Sequence, residues 1–115
     1  MRYSPIPIGA ALPHFVSRGA GHIVNVSSVA GRRVFPRGAV YCGTKFFVHA
    51  FSEGLRAELS QKGVRVTIVA PGLVRTELHS HIPDEAARER LKNADFDWLE
   101  PDDIARAIVY AVEQP

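Results

Sequence analysis

The sequence predicts an α/β protein built on a parallel sheet, and three observations carry that reading. Two short runs, HIVNV at 22–26 and VRVTIVA at 64–70, are nearly continuous in apolar and β-branched residues. That is the composition of strands covered on both faces. Between them, 39–61 repeats apolar residues at helical spacing. After them, EPDDIARAIVYAVEQP opens a second amphipathic helix. Strand, helix and strand in that order form a βαβ unit, whose long crossover makes the two strands parallel.

The elements follow in chain order. Residues 1–8, MRYSPIPI, show no period and are expected to be irregular. Residues 9–18 read as the end of a helix closed by Gly19 and Gly21, with Pro13 opposing a long one. The 22–26 strand runs into SSVAGRR, a loop of small and polar residues. In 39–61, Phe47, Ala50, Phe51, Gly54, Leu55 and Glu58 recur at intervals of three and four, and Gly63 is a suitable stop. Pro71-Gly72 ends the second strand. Residues 73–99 are polar and mixed, a loop with a short helix near 84–92. In the last helix Pro101 suits the first position, and Asp102 and Asp103 suit the positive end of the dipole. Ile104, Ala105, Ile108, Val109 and Val112 form its apolar face. Two strands are too few for a parallel sheet with helices on both faces, so the chain reads as part of a larger α/β domain.

Composition sets bounds. With 115 residues, 46% hydrophobic and 23% charged, the chain suits one small globular domain. A net charge of +2, with RR at 32–33 as the densest basic run, gives no nucleic-acid footprint. The single cysteine, Cys42, excludes an intrachain disulfide. No apolar run approaches the ~20 residues that span a bilayer. The N-terminus, broken early by prolines, makes a poor signal peptide, so a cytoplasmic protein without membrane partners is expected.

The chemistry centres on YCGTK, 41–45. Tyr41 and Lys45 stand at i and i+4, on one helix face. An ammonium beside a phenol favours the phenolate, which makes tyrosine usable as a proton donor or acceptor near neutral pH. Ser27 and Ser28 follow the first strand, and APG at 70–72 follows the second. Ligands of open α/β sheets bind beyond the carboxyl ends of the strands, so a hydroxyl, the Tyr–Lys pair and the turn converge there. The simpler reading of the serines is a loop bonding its own backbone, and of Pro71-Gly72 a plain turn.

NVSSVAG (25–31), YCGTK (41–45) and VRVTIVAPGLVRTEL (64–78), in that order and spacing, resemble the short-chain dehydrogenase/reductase family over about residues 9–115. The TELHSHI segment and the ending DDIARAIVYAVEQP look closest to its 3-hydroxy-acid and clavulanate-type aldehyde reductase branch. The resemblance implies a partial Rossmann-like, doubly wound parallel sheet. Within one partial domain, 1–115, it implies a catalytic βαβ core over 9–72, a substrate loop over 73–99 and a C-terminal helix over 100–115. It implies NAD(P)-dependent hydride transfer to or from a small carbonyl or alcohol substrate, with NADP slightly preferred. Tyr41 would be the general acid/base. Lys45 would assist it and hold the nicotinamide ribose, and Ser28 would hold the substrate oxygen. Asn25 would be structural. Pro71, Gly72 and Val74 would lie against the nicotinamide, with Val74 offering backbone groups to its carboxamide, and Thr76 would bond the carboxamide or the pyrophosphate. A homodimer or homotetramer is implied for the full-length form.

The family's glycine-rich TGxxxGxG turn and its NNAG segment do not occur in these 115 residues. The chain is therefore expected to be a fragment lacking the N-terminal nucleotide-binding half, marginally stable and inactive alone. The alternative is a catalytically inactive relative that acts as a dimerisation or interaction module. His79 and His81 have no further ligands beside them, so no metal is expected; they read as exposed loop residues or substrate contacts. Cys42 reads as a buried thiol, and Phe96 and Trp98 as core or lid packing. Arg32, Arg33 and Arg37 read as a solvated loop or as the entrance for an anionic substrate. Phe46, Phe47, Phe51 and Leu55 are divided between core and a possible dimer face.

Overall fold

The structure, a computed structural model, describes residues 5–115. Its elements are α1 (Pro5–Arg18), β1 (Gly21–Val26), α2 (Ala39–Leu59), β2 (Val64–Val69), α3 (Glu85–Asn93) and α4 (Pro101–Glu113), with 3-10 turns at Val29–Gly31 and Glu77–His81. β1 and β2 pair in parallel, Gly21 opposite Val64 through Val26 opposite Val69. With α2 between them they are the expected βαβ unit.

The pleat divides the sheet residues between two layers. Ile23 and Val66, opposite one another, and Val64 face α1 and α2. There they join Ile8, Leu55 and Leu59 in the buried core, with Leu12, Phe15 and Phe51 packed around it. Each such side chain contributes about 1.5–3 kcal/mol by leaving water. The other face carries His22, Thr67 and Arg65, and α4 lies across both strands. Arg65 donates to the Gln114 carbonyl at 2.6 Å, fixing the end of α4 against β2. Helices therefore cover both faces, as the near-continuous apolar strands require.

The N-terminus corrects one expectation. Residues 5–8, read as irregular, form the first turn of α1. Pro5 and Pro7 lack only N–H groups that a first turn leaves without intrahelical partners, so prolines at these positions start a helix. Pro13, inside α1, does not end it. Pro13 and Gly9 are both exposed, so the Gly9 carbonyl left without a partner faces water. Gly19, at φ 66°, closes the helix: its N–H bonds the Val16 carbonyl and the Ala20 N–H bonds the Phe15 carbonyl. That is the paired C-terminal motif glycine favours. Residues 1–4 of the stretch read as irregular lie outside the described residues. The helix expected near 84–92 is α3, with Asp84 as its cap.

Candidate active site

The carboxyl ends of β1 and β2 lie side by side and are stitched together beyond the ladder. The Ser27 N–H donates to the Val69 carbonyl at 2.7 Å, and the Val29 N–H to the Pro71 carbonyl at 3.0 Å. The serine loop and the Pro-Gly turn thus share one edge, as parallel strands dictate.

Ser28 is buried and caps the 3-10 turn, its Oγ accepting from the Ala30 N–H at 3.1 Å. The local role expected of a turn serine is real, yet it uses only an acceptor site. The hydroxyl hydrogen stays available for a second partner. The turn also packs on α2. A Cβ added at Gly31 would meet the His49 ring and lie 2.9 Å from the Lys45 carbonyl. Ser27 makes a long hydrogen bond, 3.4 Å, to that same carbonyl. Glycine at 31 is what allows the Ser28 turn to approach the helix at Lys45.

Tyr41 and Lys45 lie in the first two turns of α2. The Lys45 ammonium sits 5.6 Å from the centroid of the Tyr41 ring, within cation–π range. Tyr41 keeps 38% of its surface exposed and has Phe35 at its edge, ring centroids 6.4 Å apart. Between the two, Cys42 is buried. Asn25 donates to Ser52 Oγ at 2.8 Å, tying β1 to the middle of α2, in keeping with a structural role. The structure therefore brings Ser28, Lys45 and Pro71 to one sheet edge, with Tyr41 one turn before Lys45.

The residues after β2 differ from expectation in two details. Of the Val74 backbone groups expected to be offered to a ligand, the carbonyl lies 2.9 Å from His79 Nε2. His79 is accordingly half-buried, edge-on to Trp98, with the Arg75 guanidinium 5.9 Å from the Trp98 ring. It packs inside the loop rather than standing free on it, while His81 is exposed. The Thr76 hydroxyl accepts from the Leu78 N–H and keeps its own hydrogen. At Gly72 a Cβ would meet open space. Further along the loop is a cleft of about 450 Å³, lined by Thr76, His79, Arg88, Glu89, Lys92 and Trp98 among others.

Two connections escaped the sequence reading. Val74 and Leu99 form a parallel bridge that closes the base of the 73–99 loop. Arg37, read as solvated or substrate-facing, pairs with Asp84 at 2.6 Å. The Ala87 N–H first, with Arg37 beside it, holds the Asp84 carboxyl below its ordinary range against an opposing desolvation. Pro36 before Arg37, and an aspartate opening a helix, were the available signals.

Known proteins resemble this chain over most of its length. The family model described as short chain dehydrogenase matches residues 6–87. An oxidoreductase of Staphylococcus saprophyticus is 48% identical over 110 residues, which are 94% of this chain and 45% of that protein. Glycine betaine reductase of Emericella nidulans is 41% identical over 109 residues, 9% of its length. Among solved structures, the closed form of a serine dehydrogenase complexed with NADP+ superposes with a TM-score of 0.83 at 35% identity, covering 94% of this chain and 44% of that one. A gluconate 5-dehydrogenase from Burkholderia cenocepacia, in complex with NADP and tartrate, gives 0.75 at 30% identity, covering 89% of this chain and 41% of that one. The chain spans less than half the length of these relatives.

Proposed function

The chain belongs to the short chain dehydrogenase family, and we propose that it carries the proton-transfer half of an NAD(P)-dependent oxidoreductase site. The observation that carries this reading is the shared sheet edge: the Ser28 turn packed on α2 at Lys45, with Tyr41 one turn away. Ser28 holds the substrate oxygen through its spare hydroxyl hydrogen. Tyr41 gives a proton to that oxygen in reduction and takes it in oxidation. The Lys45 ammonium offsets the negative charge left on the phenol oxygen.

The residues present fit the nicotinamide end of a dinucleotide. Open space at Gly72, the exposed Thr76 hydroxyl and Lys45 would hold it, beside Pro71 and Val74. The Val74 carbonyl is already engaged by His79, which leaves its N–H as the group to offer. When bound, the nicotinamide supplies or accepts the hydride. NADP is favoured over NAD because similar structures at 30–35% identity carry NADP+, NADP and NADPH, while one at 25% carries NADH. Relatives named for serine and gluconate support a small hydroxy acid or the matching carbonyl compound as substrate, with Arg88 and Lys92 of the cleft that Thr76 also lines supplying positive charge. A cytoplasmic homo-oligomer is the accompanying reading.

The test is oxidation of NADPH with a panel of small aldehydes and keto acids, in the longest protein the reading frame encodes, with and without Tyr41→Phe. A loss of about 10²–10⁴-fold in kcat is expected for the variant. Undiminished activity would remove Tyr41 from its role. The 115 residues alone are expected to show no turnover, because the sequence contains no glycine-rich turn to receive the pyrophosphate. A second reading, a non-catalytic partner that docks on a homologue through α2, is favoured by the outward-facing Val40, Phe46 and Phe47. Activity that Tyr41→Phe abolishes decides against it.

A further inference from the structure

Arg37 stands at an unusual place. The Gly38 N–H donates to the Phe35 carbonyl at 3.2 Å, closing the turn Phe35-Pro36-Arg37-Gly38. Pro36 takes the second position and Arg37 the third, with φ 66°. This is the pattern of a type II turn, whose third position suits glycine because a Cβ is disfavoured there. The turn leads directly into α2, and Tyr41 stands four residues after Arg37.

Asp84 stands at the other end of the ion pair and serves two elements. Its Oδ1 accepts from the Ala87 N–H at 3.2 Å and so caps α3, while its Oδ2 lies 2.6 Å from Arg37 Nη1. The loop containing α3 leaves and returns through a pinned base. Arg75 donates its N–H to the Leu99 carbonyl at 2.8 Å, and Leu99 donates its own to the Leu73 carbonyl at 2.9 Å. The Arg75 side chain adds an ion pair to Glu100 at 2.9 Å. Beyond that base, among the described residues, Arg37–Asp84 is the one hydrogen-bonded link from the loop to the βαβ core.

We propose that Arg37 and Asp84 form a strap that fastens the far end of the 73–99 loop to the turn that delivers Tyr41. The two side chains are positioning residues: they set where α3 sits relative to the start of α2. An arginine in a glycine-favouring position has a purpose in this account, since glycine would fit the turn and could not reach Asp84. The pair is exposed, with 66% and 37% of the side-chain surfaces open to solvent. Exposed pairs are weak and screened by salt, so the strap holds the loop without locking it. What the loop covers when strapped rests on the proposed function; the strap itself does not.

Trypsin reads the strap directly, because Arg88, Arg90 and Lys92 all lie in α3. In the 115-residue chain at low salt, Arg37→Gly and Asp84→Asn should each raise the rate of cleavage after these residues about 1.5- to fivefold, the range an exposed ion pair can supply. Asparagine keeps an oxygen to cap α3 and loses only the charge. Glycine suits φ 66°, so Arg37→Gly should leave the urea midpoint of the whole chain unchanged or higher while the loop opens more often. Arg37→Lys should restore most of the protection. About 1 M salt should bring the parent chain up to the variants' rate. Cleavage unchanged in both variants, or a parent rate insensitive to salt, overturns the strap. No cofactor or substrate enters this assay, so its failure is distinct from failure of the hydride-transfer reading, which the Tyr41→Phe comparison decides.

Discussion

His22 lies on the face of β1 that α4 covers, half-buried, with Nε2 2.8 Å from Thr67 Oγ1. Its Nδ1 is buried without a hydrogen-bond partner. Burial first, and the neighbouring Arg65 second, hold its pKa below the ordinary value of about 6.5. The folded protein therefore resists a proton that the unfolded chain takes up. Above about pH 6.5 both states are neutral and the folded state keeps its full stability; as pH falls from there toward the lower folded value, proton uptake by the unfolded chain erodes it. The urea midpoint should drop as pH falls below about 6.5, and His22→Gln should flatten part of that drop. A drop of equal size in the variant would show that His22 is not its source. Ser28 is a different kind of residue: it spends one acceptor on its own turn and keeps its donor, so a single hydroxyl can serve the turn and the proposed chemistry together.

Gly19 and Gly63 differ in a way that the turns around them decide. Both have positive φ, 66° and 73°. Around Gly19 a Cβ would meet open space, whereas at Gly63 it would run into the Gly19 backbone carbonyl. The turns that lead into β1 and β2 are packed against each other there. Gly19→Ala should cost about 1–2 kcal/mol, the penalty of a left-handed residue. Gly63→Ala should cost clearly more, because backbone rather than a flexible side chain must move. Urea midpoints of the two variants check the order, and equal losses would refute the close approach. The contrast also shows what a one-dimensional reading can reach. Both strands, α2, α3 and α4 were legible because each is marked by its own residues: β-branched runs, helical spacing, Pro101, the paired aspartates. Tyr41, Lys45 and Ser28 were legible as a spacing. The start of α1 was not, since Pro5 and Pro7 mark a break or a first turn depending on whether the chain beyond them is helical. The Val74–Leu99 bridge and the Arg37–Asp84 pair were not, because each joins residues that only the completed fold brings together. His79 was missed for the same reason: its partner, the Val74 carbonyl, is a backbone group that every residue carries.

At the scale of the whole molecule, the chain exposes more surface than its mass warrants. Its 8167 Å² compares with about 6,200 Å² for a compact monomer of 12.6 kDa. Its radius of gyration is 16.2 Å, against about 13 Å for a compact domain of this length. The excess includes apolar side chains on several elements, with Val40 84%, Val34 70%, Tyr110 66% and Leu78 58% exposed. Among the described residues the sheet has two strands, so the outer side of each lacks a strand neighbour. Apolar surface on this scale is what partner surfaces or further chain cover. The isolated 115 residues should therefore self-associate at micromolar concentration, bind a hydrophobic dye in the native state and unfold with a midpoint that rises with protein concentration. Val40→Glu, at the most exposed of these positions and outside the buried core, should weaken the association without lowering helix content. Sedimentation velocity, dye fluorescence and circular dichroism on the same samples measure all three. A dye-silent monomer with a concentration-independent midpoint would mean that α4 and the 73–99 loop cover the core more completely than the exposed area implies, and the βαβ unit would then be a self-sufficient domain.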